Sequence, residues 1–188
     1  MNKPSLRIQT TTLWNYPSQN YGKGKQGDQN YAGATPSYII WNVLSRYTKE
    51  GQLVVDPMCG SGTTIDVCRD TGRRVLGYDI HPARGDIYRA DARKLPLENQ
   101  KADFVFVDPP YGDNIEYSDE KDCIGRINAT DPGYLTAMGG VIGEIDRVLV
   151  LSVAKDNLVG RDVAGVLLGP EGPGEVVGQC HQGDAAGA

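Results

Sequence analysis

The sequence predicts an α/β domain built on a doubly wound, mostly parallel sheet. Short apolar segments alternate with helix-forming ones between residues 36 and 107, and this alternation is typical of parallel sheets. The predicted strands end on acids, at Asp56, Asp79, Asp91 and Asp108. Because ligands of such sheets bind outside the carboxyl ends of the strands, we expect these four carboxylates to share one edge of the sheet.

The composition is that of a globular protein. The 188 residues are 39% hydrophobic and 23% charged, which is enough for one domain with a sizeable core. No apolar run approaches the roughly 18 residues of a membrane helix, and the polar N-terminus does not resemble a signal peptide, so we expect a cytoplasmic location and no membrane partner. The net charge of −5 argues weakly against a nucleic-acid binder. Residues 1–50 soften that argument, since they hold six Lys or Arg against two acids.

The cysteines and histidines form no recognisable metal or disulfide pattern. The four cysteines show neither a C-x-x-C pair nor zinc spacing, so we expect reduced thiols. They are Cys59, Cys68, Cys123 and Cys180. With His81 and His181 as the only histidines, a histidine-based metal site or a Ser–His triad is poorly supported, and we expect no metal.

Residues 1–34 are predicted to form an irregular arm with basic and aromatic residues. The part from Tyr21 to Gly33 is rich in Gly, Lys, Gln and Asn and has little means of forming a core. Two interpretations stay open: such an arm can track a phosphate backbone and stack bases, or it is solvated and its rings pack on the domain. The rings are Trp14, Tyr16, Tyr21 and Tyr31.

The elements of the domain follow in order. Thr35 and Pro36 predict a helix start, with Thr35 as the N-cap and Pro36 at the first position, and apolar residues at helical spacing extend the helix through Arg46. Further along, strands are predicted over residues 52–56, 74–79, 86–91 and 103–107, and a helix over 65–70.

The second half of the chain is less regular. An acidic loop is predicted over residues 112–130, a Gly-weakened helix over 134–147, and a fifth strand over 148–153. Residues 156–188 are Gly-rich and predict no convincing closing pair of helix and strand. We therefore expect a catalytic domain over residues 35–155, with a sheet that is incomplete at the C-terminus.

A Gly-rich turn joins the strand predicted over residues 52–56 to the helix that follows. Its sequence is Asp56-Pro57-Met58-Cys59-Gly60-Ser61-Gly62-Thr63-Thr64. It is neither G-x-G-x-x-G nor a Walker loop. Its glycines still let the backbone approach a ligand closely, and a helix N-terminus favours an anionic group such as a carboxylate. Asp79 is placed to accept from ribose hydroxyls, and Asp91 from an adenine amine, so this half of the chain predicts a ligand that carries adenosine.

The strand at residues 103–107 ends in Asp108-Pro109-Pro110-Tyr111. Two prolines cannot donate to a strand ladder and fix φ near −65°, so the strand ends in a rigid corner that carries a carboxylate and then a ring. A carboxylate and free carbonyls beside a ring suit a planar base with an exocyclic amine. The alternative is a strand followed by a proline turn, with a surface aspartate and a packing tyrosine.

The two motifs together resemble the S-adenosylmethionine-dependent DNA amino-methyltransferases. Residues 56–64 are similar to the family signature Asp-Pro-Phe-Cys-Gly-Ser-Gly-Thr-Thr, and residues 108–111 match its catalytic motif Asp-Pro-Pro-Tyr. The segment 34–36, Ala-Thr-Pro, resembles the cofactor-side motif of the family. The resemblance covers about residues 31–111, and the order of the motifs is that of the α and γ groups of the family rather than the β group.

The resemblance implies a class I methyltransferase (Rossmann-like) fold with S-adenosyl-L-methionine as cofactor. It implies that the methionine part lies along the Gly-rich turn and that a base flipped out of duplex DNA is held by the Asp-Pro-Pro-Tyr corner. The implied cofactor-binding residues are Thr35, Asp56, Pro57, Cys59, Gly60, Gly62, Thr63, Asp79, Asp91 and Ala92. The implied catalytic residues are Asp108, Pro109, Pro110 and Tyr111.

Three functions stay open at this point. DNA N6-adenine methylation is favoured over N4-cytosine methylation, a family tendency for Asp in the first motif position. RNA methyltransferases of the tRNA guanine-N2 type use a similar motif, but usually carry an RNA-binding module for which 34 residues are too few. The third is an inactive cofactor-binding remnant, since residues 151–153 replace the Pro-Gly-Gly-like turn of the family. No target-recognition domain is evident and the loop 112–130 is acidic, so we expect a partner subunit to supply DNA recognition.

Overall fold

The computed structural model of the chain describes residue 8 and residues 19–22, 24–28, 30–150, 152–153, 159–160 and 163–165. The helices are α1 (Ser37–Tyr47), α2 (Thr63–Asp70) and α3 (Pro132–Val148). The strands are β1 (Leu53–Asp56), β2 (Arg74–Asp79), β3 (Tyr88–Arg89), β4 (Phe104–Val107), β5 (Ser152–Val153), β6 (Val159–Gly160) and β7 (Val163–Gly165). Two short 3₁₀ turns, Gly112–Asn114 and Ile124–Arg126, lie between β4 and α3.

Among the described residues, five strands form one sheet in the order β3-β2-β1-β4-β7, and each neighbouring pair is parallel. The predicted doubly wound, mostly parallel sheet is confirmed. The chain moves outward from β1 to β3 on one side and returns to β4 on the other, so the order reverses between β1 and β4. In open α/β sheets a reversal of this kind marks the crevice where ligands bind.

The core lies on both faces of the sheet. Val54, Phe104 and Phe106 pack with α1 and α2 on one face, whereas Val55 and Val105 pack with α3 on the other. Both faces of β1 and β4 are therefore covered, which explains why these strands are apolar throughout instead of alternating with polar residues. This two-sided burial holds the carboxyl ends of β1 and β4 rigidly beside each other.

The start of α1 differs from the prediction. Pro36 occupies the N-cap position, with φ of −59°, and makes no side-chain cap. Thr35 is therefore not the N-cap; its hydroxyl donates to Asp108. The helix begins without a side-chain cap because it is anchored by other bonds, including Ser37 N–H to the Gln19 carbonyl at 2.9 Å.

The segment after residue 18 packs into the core, so the expectation that Tyr21–Gly33 has little means of forming one is wrong at Tyr21. The Tyr21 ring is buried and meets Tyr38 edge-on at 5.9 Å between centroids. Its hydroxyl donates to Asp70 Oδ2 at 3.1 Å, as does the Gln26 amide at 3.2 Å. Polar residues reach the core here because a carboxylate at the end of α2 satisfies them. Trp14 and Tyr16 lie outside the described residues.

Of the predicted fifth strand over residues 148–153, only Ser152–Val153 forms a strand among the described residues, and the prediction is wrong at Val148. α3 continues through Val148, and Leu149 makes only an isolated parallel bridge with Ala102. β5 pairs antiparallel with β6, and the place beside β4 is taken by β7. A short apolar run fits either a strand or the buried last turn of a helix. Here Val148 and Leu149 lie at the end of α3 and are buried in the core between α3 and the sheet.

Other boundaries moved by a few residues. α2 begins two residues before the predicted start at 65, α3 spans residues 132–148 despite its glycines, and β3 is reduced to residues 88–89. Asp131 caps α3 by accepting from the Gly133 N–H at 2.7 Å, with Pro132 as the first residue. A good cap and a proline at the first position offset the low helix propensity of glycine. Residues 166–188, most of the predicted Gly-rich tail, lie outside the described residues.

Within the part of the chain that the structure describes, no helix has the length and apolarity that a membrane crossing requires. Cys59, Cys68 and Cys123 are free and buried, in agreement with the expected reduced thiols. Cys180 lies outside the described residues.

Candidate active site

The four aspartates predicted to share one edge of the sheet do so. Asp56, Asp79, Asp91 and Asp108 all line one cleft at the carboxyl ends of β1 to β4. The cleft encloses about 840 Å³, counting the space open to solvent. The strand ends and the reversal between β1 and β4 therefore converge on one site.

Most of the predicted site residues meet in this cleft. Those that line it are Thr35, Asp56, Pro57, Cys59, Gly60, Thr63, Asp79, Asp91, Ala92, Asp108 and Pro110. Three predicted residues are not among the lining residues. Gly62 occupies the N-cap position of α2 next to Arg84, Pro109 is buried, and the Tyr111 hydroxyl donates to Asp108.

The Gly-rich turn is held against the end of β2 by a carboxylate. Gly60 N–H donates to Asp79 Oδ2 at 2.8 Å, and His81 N–H donates to Asp79 Oδ1 at 2.9 Å. Gly60 has φ of +46°, and a Cβ there would lie 3.1 Å from the ring of Tyr31. Burial raises the pKa of Asp79, and the backbone donors lower it. The turn thus presents bare backbone to the cleft, between Asp79 and Tyr31.

Arg84 clamps the same turn from outside, and sequence reasoning missed it. Its Nη1 and Nη2 donate to the two oxygens of Asp66 at 2.7 and 2.9 Å, and Nη2 also meets Asp86 at 2.8 Å. A Cβ on Gly62 would lie 2.6 Å from Arg84 Nη1, so Gly62 lets the guanidinium lie flat on the turn. The Arg84 guanidinium lowers the pKa of Asp86 to about 2.

Asp56 is the most buried acid of the cleft, with 3% of its surface exposed. Burial raises its pKa to about 7, with smaller contributions from the carboxylates of Asp79 and Asp108. Its Oδ1 accepts from Met58 N–H at 3.0 Å. A carboxyl that is poorly solvated gains most from a positively charged ligand group, since that group replaces the lost water.

Asp91 is paired already. Arg93 Nε donates to Asp91 Oδ1 at 2.9 Å and Nη2 to Oδ2 at 2.5 Å, which lowers the pKa of the carboxyl. The predicted adenine contact must therefore share this carboxylate with Arg93. Ile80 and Ala92 line the same cleft with apolar side chains, which suit a flat ring. Ile80 carried no sequence signal, because an apolar residue at the end of a strand predicts a core position.

Asp108 receives two hydroxyl donors. The Thr35 hydroxyl donates to Oδ2, and the Tyr111 hydroxyl donates to Oδ1 at 2.7 Å. Burial raises the pKa of Asp108, while the bonds from Thr35 and Tyr111 lower it. Pro110 is fixed as well, since its carbonyl accepts from the Tyr134 hydroxyl at 2.6 Å. The carboxylate of the Asp-Pro-Pro-Tyr corner is thus fixed by two hydrogen bonds and does not behave as a free surface aspartate.

The acidic loop after Tyr111 closes one side of the cleft. Its lining residues are Tyr117, Ser118, Asp122, Cys123 and Ile124. Tyr117 packs closely on backbone, because a Cβ on Gly125 would lie 2.8 Å from its ring and one on Gly33 3.2 Å from it. Only its aromatic side chain set Tyr117 apart in an otherwise polar segment, and the sequence did not indicate its partner.

The cleft fits a nucleoside-type cofactor with a charged tail. The lack of a Cβ at Gly60 lets the Tyr31 ring lie against the turn, and Asp79 retains lone pairs for hydroxyl donors. The apolar side chains of Ile80 and Ala92 suit a flat ring, and the buried Asp56 suits a cationic group.

Part of the chain is similar in sequence to known methyltransferases. Residues 3–89 match a family model described as DNA methylase, N6_N4_Mtase. The type II methyltransferase M2.DpnII of Streptococcus pneumoniae is 35% identical over 65 residues, which is 35% of this chain and 23% of that protein. The tRNA (guanine(10)-N2)-dimethyltransferase of Methanothermobacter thermautotrophicus is 34% identical over 88 residues, 39% of this chain and 26% of that protein. The chain thus spans about a quarter of the length of these relatives.

Solved structures are less similar. A SAM-dependent methyltransferase from Aquifex aeolicus is 16% identical with a TM-score of 0.42, and the match covers 72% of this chain and 69% of that one. A putative methyltransferase of Haloferax volcanii, in complex with the Trm112 activator, is 23% identical with a TM-score of 0.41, covering 66% of this chain and 49% of that one.

Proposed function

We propose that this chain methylates an exocyclic amine of a DNA base. Residues 3–89, which include the Gly-rich turn, match the DNA methylase model, and a type II methyltransferase is similar to part of the chain. The Asp-Pro-Pro-Tyr corner at residues 108–111 lies outside the matched range and supports the proposal by its resemblance to the catalytic motif of the same family. N6 of adenine is favoured over N4 of cytosine. The family match supports S-adenosyl-L-methionine as the methyl donor.

One observation carries the proposal. Asp108, the acid of the Asp-Pro-Pro-Tyr corner, opens into the same cleft as Asp79 and the Gly-rich turn. An amine that donates to Asp108 therefore lies in one enclosed space with a donor bound along Gly60 and Asp79. Such proximity makes transfer between two bound groups effectively intramolecular.

The chemistry divides between cofactor and chain. S-adenosylmethionine supplies a methyl group on a sulfonium; a nitrogen–carbon bond forms, the carbon–sulfur electron pair stays on sulfur, and one amine proton is lost to water. Asp108 accepts an N–H of the amine, and the Pro109 carbonyl is the second acceptor of the corner. Accepting these hydrogens opposes the delocalisation of the nitrogen lone pair into the base, so catalysis here is positioning plus electrostatics.

The cofactor would be held by the residues already placed around it. We assign the methionine part to Asp56, Gly60 and the turn around them, the ribose hydroxyls to Asp79, and the adenine to Asp91 with Ala92. Gly62 is assigned an indirect role: it precedes α2 with a φ of +81°, and its lack of a side chain lets Arg84 pack against the turn. Pro57, Cys59 and Thr63 complete the assigned wall, and Thr35 lines the same cleft with its hydroxyl on Asp108.

The partner we propose is duplex DNA, with the target base flipped into the cleft. Flipping costs a few kcal/mol, and the Tyr111 ring is assigned to stack on the flipped base. The loop 112–130 is acidic and suits phosphate contact poorly, so recognition of a sequence is assigned to a partner subunit or to chain beyond the catalytic domain at 35–155.

Labelled methyl transfer tests the proposal. The chain is incubated with radiolabelled S-adenosylmethionine and either duplex DNA or tRNA, and the product is digested to nucleosides. We expect label in N6-methyladenine. Label in N2-methylguanine of tRNA would support the RNA alternative, which is the activity named for the relative from Methanothermobacter thermautotrophicus. Label in neither substrate would support an inactive remnant.

Two variants separate binding from transfer. Asp108→Ala is expected to abolish transfer while calorimetry still detects cofactor binding. Asp113→Ala, which removes an exposed carboxylate five residues on that contacts Asn128, is the matched control and keeps both properties. Loss of cofactor affinity in Asp108→Ala with transfer intact would show that the roles are misassigned.

A further inference from the structure

Thr35 and Asp108 are joined across 73 residues of chain. Resting on the proposed function, we propose that Thr35 is the positioning residue of Asp108: its hydroxyl holds Oδ2 so that the carboxylate is aimed and kept available as an acceptor for the substrate amine. The motif resemblance placed Thr35 on the cofactor side, so the geometry assigns it a different partner.

The backbone around Thr35 is built to hold that hydroxyl still. The Gln19 side-chain amide donates to the Thr35 carbonyl at 2.7 Å and to the Ala34 carbonyl at 3.0 Å. On the other side, Pro36 fixes the entry into α1 and Ser37 is bonded twice to the Gln19 carbonyl, through its N–H at 2.9 Å and its hydroxyl at 3.0 Å. The residue before the helix is thus anchored on both sides.

A threonine just before a helix ordinarily uses its hydroxyl as an N-cap. Here the cap position belongs to Pro36, and α1 has no side-chain cap. The Thr35 hydroxyl instead crosses to the end of β4. Because the Thr35 hydroxyl bonds Asp108 and caps no backbone N–H of α1, a capping role does not account for its orientation, whereas an orienting role at Asp108 does.

The surroundings of Asp108 make this donor important. The ionisable groups that interact with Asp108 are Asp56, Tyr117 and Tyr111, and the hydroxyl of Tyr111 donates to it. Burial favours the protonated form of Asp108, and a protonated carboxyl is a poorer acceptor. The bonds from Thr35 and Tyr111 lower the pKa of Asp108 and oppose that effect. Loss of the Thr35 hydroxyl should therefore shift the titration of Asp108 to higher pH.

The test compares Thr35→Val, which keeps the shape and removes the donor, with Thr35→Ser, which keeps the donor. Thr136→Val is the matched control, because its exposed hydroxyl donates only to the Pro132 carbonyl of its own helix. For Thr35→Val we expect kcat to fall about tenfold to a hundredfold, the acid limb of the kcat/KM profile to move to higher pH, and the Kd of the cofactor to stay within about threefold. Thr35→Ser should restore the wild-type position of the acid limb, and Thr136→Val should match wild type.

A cofactor Kd that rises in Thr35→Val with an unchanged pH profile would overturn the proposal and make Thr35 a cofactor ligand. Carbon-13 NMR titration of the Asp108 carboxyl gives a readout independent of activity. If wild type methylates neither DNA nor tRNA, the proposed function fails, yet an Asp108 titration that moves to higher pH in Thr35→Val still supports the link. An unmoved titration refutes the link even when wild type is active.

Discussion

Replacing Asp79 by Asn tests whether one carboxylate builds the cofactor turn. The two oxygens of Asp79 accept from two different backbone groups, Gly60 N–H at 2.8 Å and His81 N–H at 2.9 Å. An asparagine has one oxygen and one NH₂ group in the same place, so it can satisfy only one of the two donors. The other N–H then faces an NH₂ donor across the same short distance.

The size of the effect follows from that count. One hydrogen bond to a charged group is lost, worth about 2 kcal/mol, and a partly buried N–H is left without its acceptor. For a domain of this size we expect the melting temperature to fall by about 4–8 °C. If Gly60 is the donor that is released, the turn loosens, and the Kd of S-adenosylmethionine should rise about thirtyfold for the same 2 kcal/mol.

Asp103→Asn is the matched control. Its Oδ2 accepts from Leu53 N–H at 2.7 Å at the start of β4, away from the cleft. Differential scanning fluorimetry and isothermal titration calorimetry on both variants separate the two effects. We expect Asp79→Asn to lose both thermal stability and affinity. Asp103→Asn should keep its affinity and most of its stability, because one asparagine oxygen can still accept from the Leu53 N–H. Equal affinity for the cofactor in Asp79→Asn and wild type would refute the idea that this carboxylate sets the turn and meets the ribose.

Three further perturbations probe the same region. Because the folded pKa of Asp56 is raised from 3.8 to about 7, the folded state holds the extra proton, and the free energy of unfolding should fall by as much as about 4 kcal/mol between pH 4 and pH 7; urea titrations of Asp56→Asn should lack that fall. Gly27→Ala should destabilise by about 3 kcal/mol, since φ is +70° and the new Cβ would lie 2.2 Å from Thr63 Oγ1. Arg84→Met should destabilise by about 2 kcal/mol, because Asp66 loses a bidentate partner, and should weaken cofactor binding.

Each of these perturbations has a contrary outcome. The pH argument fails if wild type and Asp56→Asn lose stability in parallel over this range. Gly22→Ala shares a positive φ but meets nothing within 4 Å, so equal losses at Gly22 and Gly27 would leave only backbone strain. Arg69→Met breaks an exposed pair with Asp86, and an Arg84→Met variant no weaker than this one would show that the clamp is unimportant.

Local chemistry made much of the site predictable. Strands that are apolar on both faces and end on an acid indicate a parallel sheet, so the shared edge of Asp56, Asp79, Asp91 and Asp108 followed from the pattern. The glycines of the turn were equally informative, because only a residue without a Cβ accepts the φ of Gly60 and Gly62 at low cost. These inferences depend on short stretches of chain, where residue type constrains backbone shape directly.

The predictions failed where a local pattern is compatible with more than one structure. The run of apolar residues from 148 predicts a strand, but Val148 and Leu149 are buried at the end of α3. Thr35 was expected to cap α1 in an ordinary way, and its hydroxyl turned instead to a partner 73 residues away. Tyr21 lies in a polar stretch of sequence, and nothing in that stretch indicates that its hydroxyl donates to Asp70 at the end of α2.

Strand periodicity, glycine and proline act within a few residues, so the residue pattern was enough to predict the sheet type, the acidic edge and the two motifs. The groups that hold the motifs in place became visible only in the folded chain. The Thr35 hydroxyl on Asp108, the Arg84 clamp over Gly62 and the Tyr31 ring beside Gly60 are side-chain contacts between distant segments. Such contacts depend on how the helices and loops pack on the sheet, and the spacing of residues along the chain carries no record of that packing.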